Sequence, residues 1–159
     1  MRLINLSEFE PIFEPLSGLT VGMVDGVGNM GDQLLYLAAR QLCKEFNIEH
    51  FTVNAFAENP IPKCDKLLLF GGGNIGFPPA AAIRRKAFES GIPCWLLPQS
   101  VIRHEDLKCE KMFFRESVSR NIIGDGEIAP DLALGFDFPE SRTHKNGSET
   151  FLRRNGGSV

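Results

Sequence analysis

The amino-acid sequence predicts an α/β fold in which a parallel sheet carries helices on both faces. Short apolar runs alternate along the chain with longer amphipathic segments, an alternation typical of α/β proteins. The apolar runs are nearly continuous, as strands covered on both faces must be. Each of two glycine-rich turns follows a predicted strand and leads toward a helix, which is the order of elements in a βα unit.

The spacing of apolar residues places each element in turn. Residues 33–46 form a predicted helix, since apolar side chains from Leu34 to Phe46 recur on one face at helical spacing. Residues 80–90 form a second helix, with Pro78 and Pro79 at its start and Gly91 just past its end. The predicted strands span residues 19–25, 49–56, 66–70, 92–99 and 111–116, followed by a brief helix at 117–123 and a last strand and turn at 127–134.

Length and composition limit the classes of function. The chain has 159 residues, 43% of them apolar and 23% charged, which suits one ordinary globular domain. The net charge of −3 offers no broad basic field for a phosphate backbone, so no nucleic-acid partner is expected. The start of the chain lacks the pattern of a signal peptide, and no later stretch reaches the roughly 18 apolar residues of a transmembrane segment. We therefore expect a cytoplasmic protein.

Two turns of similar sequence stand out. Residues 26–31 read GVGNMG and residues 71–76 read GGGNIG, so both fit G-x-G-x-x-G with Asn in the fourth place. Because the carboxyl ends of parallel strands line one crevice, both turns are expected to face the same site. Glycine lets the backbone approach a ligand closely, and the N–H groups of a following helix favour an anion. The predicted binding residues in the turns are Gly28, Asn29, Gly31, Gly72, Gly73 and Asn74.

A dinucleotide site is the obvious interpretation of such turns, and the sequence partly contradicts it. That fingerprint requires an acidic residue at the end of the second strand, where Phe51 to Asn54 stand instead. Asp32, directly after the third glycine, would also place a carboxylate beside the pyrophosphate. An NAD-dependent oxidoreductase is therefore the third choice, and no cofactor is expected.

Polar residues at the strand ends have structural as well as functional interpretations. Asp32 is an expected N-cap that could also contact a substrate. Asn29 and Asn74 could adopt left-handed turn geometry or share a ligand. Gln99 and Ser100 could shape a loop or bind hydroxyl groups.

Charged residues further along the chain carry similar alternatives. Arg115 and Glu116 emerge from a buried strand and could pair with each other or serve a site. His104 is a loop histidine, a residue type that is suited to proton transfer near neutral pH. Residues 84–86 (RRK) are expected to form a solvated helix face. The four cysteines, which form no C-x-x-C pair, are expected to be buried free thiols, and no metal site is predicted.

Five motifs together point to a family. GNMGDQLLYLAAR, LLLFGGGNIG, LLPQS, FFRES and APDLAL closely resemble, in order and spacing, the polysaccharide pyruvyl transferase family, from about Val24 to Leu134. The resemblance implies the Rossmann-like N-terminal half of a two-domain enzyme similar to GT-B glycosyltransferases. Such enzymes transfer a pyruvyl group from phosphoenolpyruvate to sugar hydroxyls of a surface polysaccharide or exopolysaccharide, forming a ketal and releasing phosphate.

The implied reaction suggests a role for each candidate residue. A sugar hydroxyl must lose a proton as it attacks the enol, and the anionic donor needs cationic or N–H partners. Asp32 or His104 is the expected proton acceptor, and Arg115 the counter-charge. The remaining expected substrate-binding residues are those of the glycine turns together with Gln99, Ser100, Glu116 and Asp131.

The family pattern also predicts a domain division. Residues 1–138 are expected to form the Rossmann-like domain, 139–150 a polar linker, and 151–159 the start of a truncated second domain. The expected partners are phosphoenolpyruvate and a glycan acceptor, with a homo-oligomer or a separate C-terminal half as further possibilities. Without the second half, the chain alone is expected not to turn over phosphoenolpyruvate. The alternative is a non-catalytic sugar- or nucleotide-binding module.

Overall fold

The computed structural model describes residues 2–25, 29–54 and 59–139, and in these residues the predicted Rossmann-like α/β arrangement is confirmed. The helices and strands are α1 (Glu10–Phe13), β1 (Thr20–Asp25), α2 (Met30–Glu45), β2 (Glu49–Asn54), β3 (Lys66–Leu69), α3 (Pro78–Glu89), β4 (Cys94–Gln99), β5 (Lys111–Phe114), α4 (Ser117–Ile123) and β6 (Glu127–Ile128). Three 3₁₀ segments lie at Leu6–Phe9, Glu14–Leu16 and Leu132–Gly135.

The six strands found in the described residues form one parallel sheet in the order β2-β1-β3-β4-β5-β6. β1 pairs with β2 on one side, with Thr20 opposite Glu49, and with β3 on the other, with Val21 opposite Lys66. The direction of strand succession therefore reverses between β1 and β3. In open α/β sheets such a switch point, at the carboxyl ends of the strands, is where ligands bind.

Each face of the sheet supports its own apolar core. Leu68 points into a core that contains buried residues of α1 and α2, while its neighbours Leu67 and Leu69 point into a second core with Ile83 and Ala87 of α3. This alternation follows from the two-residue period of a strand. Both faces are thus covered, which explains why the strand sequences are apolar almost throughout.

The N-terminal segment has structure that the sequence analysis did not predict. Phe9, Ile12, Phe13 and Leu16 are fully buried in the first core, over α2 and the last 3₁₀ segment. Their positions follow the i, i+3, i+4, i+7 spacing of one helical face, so periodicity could have found them. The short helices that carry them hide a large aromatic area at one face of the sheet.

Several predicted boundaries need correction. α2 begins at Met30 rather than at residue 33, because Asn29 caps it. α3 includes both prolines and ends at Glu89, and Gly91 follows with a φ of 73°, as its expected place past the helix end requires. Gly28, the last two residues of the predicted strand 49–56, and residues 140–159 with the predicted linker and second-domain start lie outside the described residues.

The four cysteines are free, as expected, but only two are fully buried. Cys43 and Cys94 are buried, whereas Cys64 and Cys109 are half-buried. Burial raises the pKa of the Cys43 thiol to about 12 and that of Cys94 to about 11. Both thiols are therefore protonated and poorly nucleophilic at neutral pH. Among the described residues, no helix combines the length and apolar character needed to cross a membrane.

Candidate functional site

A cavity of about 580 Å³ lies at the carboxyl edge of the sheet, between the two glycine turns. The first turn contributes Asn29, Gly31 and Asp32, and the second contributes Gly72, Gly73 and Asn74. Arg115, which follows β5, and Asp131, which follows β6, complete its polar lining. The cavity therefore occupies the switch point between β1 and β3, where the sequence places both turns.

Asn29, not Asp32, is the N-cap of α2. The Gly31 N–H donates to Asn29 Oδ1 at 2.8 Å, and the Asn29 N–H donates to Asp32 Oδ2 at 2.9 Å. Asp32 lies in the first turn of the helix and completes a reciprocal capping box. The expectation that Asp32 is the cap is wrong, because the helix starts three residues earlier than predicted and places this carboxylate inside it.

Asp32 also connects the two glycine turns. Its second oxygen, Oδ1, accepts a hydrogen bond of 2.7 Å from the Gly72 N–H, while the Gly72 carbonyl accepts one from Arg115 Nη2. The Gly72 backbone is thus bound on both sides by charged groups. A Cβ atom on Gly72 would lie 2.8 Å from Asp32 Oδ1, which explains why glycine is required there.

Arg115 is bound by several groups at once. Its guanidinium donates to Asp131 Oδ2 at 2.6 Å and to Ser100 Oγ at 2.7 Å, in addition to the Gly72 carbonyl. Of the two alternatives for Arg115 and Glu116, the structure does not show the mutual pair, because Glu116 instead accepts hydrogen bonds from Ser100 and Ser119. Successive side chains at a strand end point in different directions, and each finds partners on its own side.

The second glycine turn depends on a buried ion pair that sequence reasoning missed. Arg84 is only 4% exposed, so its assignment to a solvated helix face is wrong. It pairs with Glu105 at 2.5 Å and donates to Asn74 Oδ1 at 2.9 Å and to the Asn74 carbonyl at 3.2 Å. Glu105 in turn accepts the Gly76 N–H at 2.8 Å. Helical periodicity could have found Arg84, since it follows the buried Ala80 by four residues.

The environment of Glu105 favours its ionised form. Burial raises the pKa of this carboxyl, but the hydrogen bonds from Arg84 and from the Gly76 N–H, together with the Arg84 charge, outweigh burial and leave the pKa below its ordinary value. Glu105 is therefore an anion at neutral pH and a stable partner for the buried guanidinium.

The asparagines do not adopt the expected left-handed geometry. Asn29 is extended, with a φ of −86°, and the only described non-glycine residue with a positive φ is Asn47. In the second turn the positive φ angles belong to Gly73 and Gly76, at 151° and 84°. The two asparagines instead use their side-chain oxygens, Asn29 for the α2 cap and Asn74 for Arg84.

Some predicted site residues lie apart from the cavity lining. Gln99 is buried within the sheet, 1% exposed, and lines a separate small space. His104 is exposed on the loop after β4, and Ser100 and Glu116 lie behind Arg115 in its hydrogen-bond network. Of the two candidate proton acceptors, only Asp32 lines the cavity.

The electrostatics of the cavity favour a neutral, hydroxyl-rich ligand over an anion. The first two residues of α3 are Pro78 and Pro79, which have no N–H to offer, and Asp32 already occupies the N-terminus of α2. Among the lining residues two carboxylates face one guanidinium, and that guanidinium is bound to Asp131. Carboxylate oxygens accept several hydrogen bonds each, which suits the hydroxyl groups of a sugar.

Comparisons with known proteins add no assignment. No protein-family model matches the chain, and no curated protein does either. Within the described ranges, no group of three or more His, Cys, Asp or Glu residues is arranged to bind a metal ion.

Proposed function

We propose that this chain provides the acceptor-binding domain of a polysaccharide pyruvyl transferase, which transfers a pyruvyl group from phosphoenolpyruvate to sugar hydroxyls as a ketal. The five ordered motifs between Val24 and Leu134 are the sequence basis of the proposal. The observation that carries it is the single cavity at the switch point, to which two of those motifs contribute their glycine turns and a third contributes Arg115.

The proposal assigns Asp32 as the proton acceptor. A first sugar hydroxyl gives up its proton as its oxygen bonds to the central carbon of the enol, and the methylene carbon gains a proton. A second hydroxyl of the sugar then loses its proton and replaces the phosphate at the same carbon, which completes the ketal and releases phosphate. Asp32 lines the cavity and is oriented by two backbone N–H groups, from Asn29 and Gly72. His104 does not line the cavity, so Asp32 is the preferred base of the two.

The donor requires more positive charge than this cavity supplies. Phosphoenolpyruvate carries a carboxylate and a phosphate, and such anions are bound by several converging cations or N–H groups. Arg115 is the one cation among the cavity-lining residues, and Asp131 neutralises it. In this proposal the sugar acceptor therefore binds in the described cavity, and phosphoenolpyruvate is bound by groups outside it.

Ligand titration by NMR tests the proposal. The 15N-labelled chain is titrated with methyl glycosides of glucose, galactose and mannose, and the amide signals of Gly72, Gly73 and Asn74 are followed. We expect at least one glycoside to shift these signals, and Asp32→Asn to weaken its binding about tenfold through a lost charged hydrogen bond. Glu45→Gln, on the exposed far end of α2, is the matched control and should bind normally. Binding that Asp32→Asn leaves unchanged would exclude Asp32 from the acceptor site.

Phosphate release tests the donor side of the proposal. The chain is incubated with phosphoenolpyruvate and the bound glycoside, and we expect no release above background. Release that disappears in Arg115→Ala would show that the described cavity also serves the donor.

A non-catalytic sugar-binding module is the second candidate, because Asp32, Arg115 and Asp131 are already hydrogen-bonded within the protein. The two candidates differ in their response to phosphoenolpyruvate after the glycoside has bound. A transferase domain that is combined with the groups that bind the donor should release phosphate from phosphoenolpyruvate and convert the bound glycoside to its ketal, whereas a sugar-binding module should leave both unchanged.

A further inference from the structure

A second, smaller cavity, lined by both polar and apolar residues, borders the second glycine turn at Asn74. Gln99, the last residue of β4, is 1% exposed, and its side-chain Oε1 has no hydrogen-bond partner within the described part of the chain. A buried carbonyl oxygen without a partner is rare in folded proteins, because its desolvation is not compensated. This oxygen therefore marks a place where a hydrogen-bond donor belongs.

The size of the space limits that donor. Gln99 lines a cavity of about 20 Å³, together with the polar side chains of Asn74 and Arg84 and the apolar side chains of Val24 and Ile83. A single water molecule needs about 10 to 15 Å³ of such volume and two to four polar partners. A sugar or a nucleotide is far too large for this cavity.

We propose that one structural water molecule binds in this cavity and donates a hydrogen bond to Gln99 Oε1. Asn74 and Arg84, which line the same cavity, offer the N–H groups from which the water oxygen accepts. Both residues belong to the network that supports the second glycine turn, since Arg84 donates to the side chain and the carbonyl of Asn74.

The bound water gives Gln99 a positioning role. It connects the end of β4 to Asn74, whose backbone is part of the second glycine turn, without any direct contact between Gln99 and a ligand in the larger cavity. The inference goes beyond the proposed function, because it requires neither a sugar nor phosphoenolpyruvate.

Magnetic relaxation dispersion of water ¹⁷O and ²H counts long-lived internal water molecules and tests the proposal on the full chain. Gln99→Met keeps the length of the side chain and removes its polar atoms. We expect this variant to lose one long-lived water molecule. The matched control is Leu97→Met, a substitution of similar volume at a fully buried residue of the same strand that does not line the cavity. It should keep the full count.

The direction in which Gln99→Met changes Tm is an independent test. If the water is bound in the unsubstituted chain, Gln99→Met removes its acceptor and with it the water, so the N–H groups that the water satisfied lose a partner and Tm falls by about 2 to 4 °C. If no water is bound, Gln99→Met removes a buried carbonyl oxygen that lacks a hydrogen bond, and Tm rises. An unchanged water count or a higher Tm overturns the proposal.

A crystal structure of the unsubstituted chain decides the matter if Gln99→Met does not fold. A water peak about 2.7 to 3.2 Å from Gln99 Oε1 supports the proposal, and empty density there at high resolution refutes it.

Discussion

The two glycine turns are nearly identical in sequence but are supported in different ways. The described part of the first, from Asn29 to Gly31, is stabilised locally, because Asn29 and Asp32 belong to the capping box of α2. The second depends on distant parts of the chain, since Arg84 of α3 and Glu105 of the loop after β4 bind its backbone and Asn74. A shared motif therefore predicts a shared location, but not the interactions that fix the turn.

The buried ion pair should show this difference most clearly. Glu105→Gln preserves the shape of the side chain but leaves the Arg84 guanidinium buried without a counter-charge. We expect the free energy of unfolding to fall by about 3 to 5 kcal/mol, as in other buried pairs that lose one partner. Urea unfolding followed by circular dichroism measures the change.

A surface ion pair supplies the matched control for that substitution. Glu110→Gln removes the same charge from the pair with Lys66, where the Glu110 side chain is 49% exposed. Exposed pairs contribute about 0 to 1 kcal/mol, so this variant should lose little. Equal losses in Glu105→Gln and Glu110→Gln would contradict the special role of the buried pair.

The local support of the first turn should be easier to weaken without unfolding the protein. Asp32→Asn retains one good acceptor oxygen and loses one of the two N–H bonds, from Asn29 or from Gly72. The lost hydrogen bond and the lost charge at the α2 N-terminus together should lower the free energy of unfolding by about 1 to 2 kcal/mol.

Amide exchange can separate the two kinds of support. Asp32→Asn should increase exchange at Asn29 and Gly72, whose N–H groups it binds, and leave Gly76 protected by Glu105. Faster exchange at Gly76 in this variant would mean that the turns are coupled more strongly than their contacts indicate.

Sequence predicted the fold and the meeting of the two glycine turns at one cavity because both depend on local patterns. Strand and helix periodicity is visible in short windows, and strand ends in a parallel sheet share an edge, so Asn29, Asp32 and Gly73 were placed together. The partner of Arg115 could not be predicted, since its neighbour Glu116 and the more distant Asp131 are equally plausible in sequence. Which one it meets depends on the path of the chain after β6.

The missed role of Arg84 has a different cause. Three successive basic residues suggest a solvated face, but a helix turns by about 100° per residue, so they cannot share one. Arg85 is indeed exposed, whereas Arg84 faces the core. Helical periodicity indicates that Arg84 faces the core, but its partners Glu105 and Asn74 lie in other segments of the chain, so no local pattern predicts what binds it.

The second glycine turn should also make stability depend on pH, an effect that we expect to be smaller than those of Glu105→Gln and Asp32→Asn. The pKa of Glu105 is lowered in the folded protein, so the folded state binds this proton less tightly than the unfolded chain does. Its contribution to stability is present above its ordinary pKa near 4.5 and is lost as the pH falls through the lowered folded value.

Urea unfolding at several pH values below that ordinary pKa measures the effect. We expect the slope of unfolding free energy against pH to be less steep in Glu105→Gln than in the unsubstituted chain. Glu110→Gln should flatten the slope less, because the hydrogen bond from Lys66 that lowers the pKa of Glu110 is exposed to solvent. An identical slope in the Glu105 variant would show that this carboxyl does not titrate differently on folding.

The burial of the N-terminal segment has a consequence for the order in which the chain acquires its structure. Arg2 Nε donates to the Gly135 carbonyl across 133 positions, and the Phe9 ring packs so closely on Gly135 that a Cβ there would lie 2.6 Å away. During synthesis, the aromatic side chains of this segment therefore leave the ribosome long before the residues that bury them, such as Gly135, have been synthesised. Contacts at such sequence separation close late, and we expect the corner that carries Asp131 to be the last part of the cavity to form.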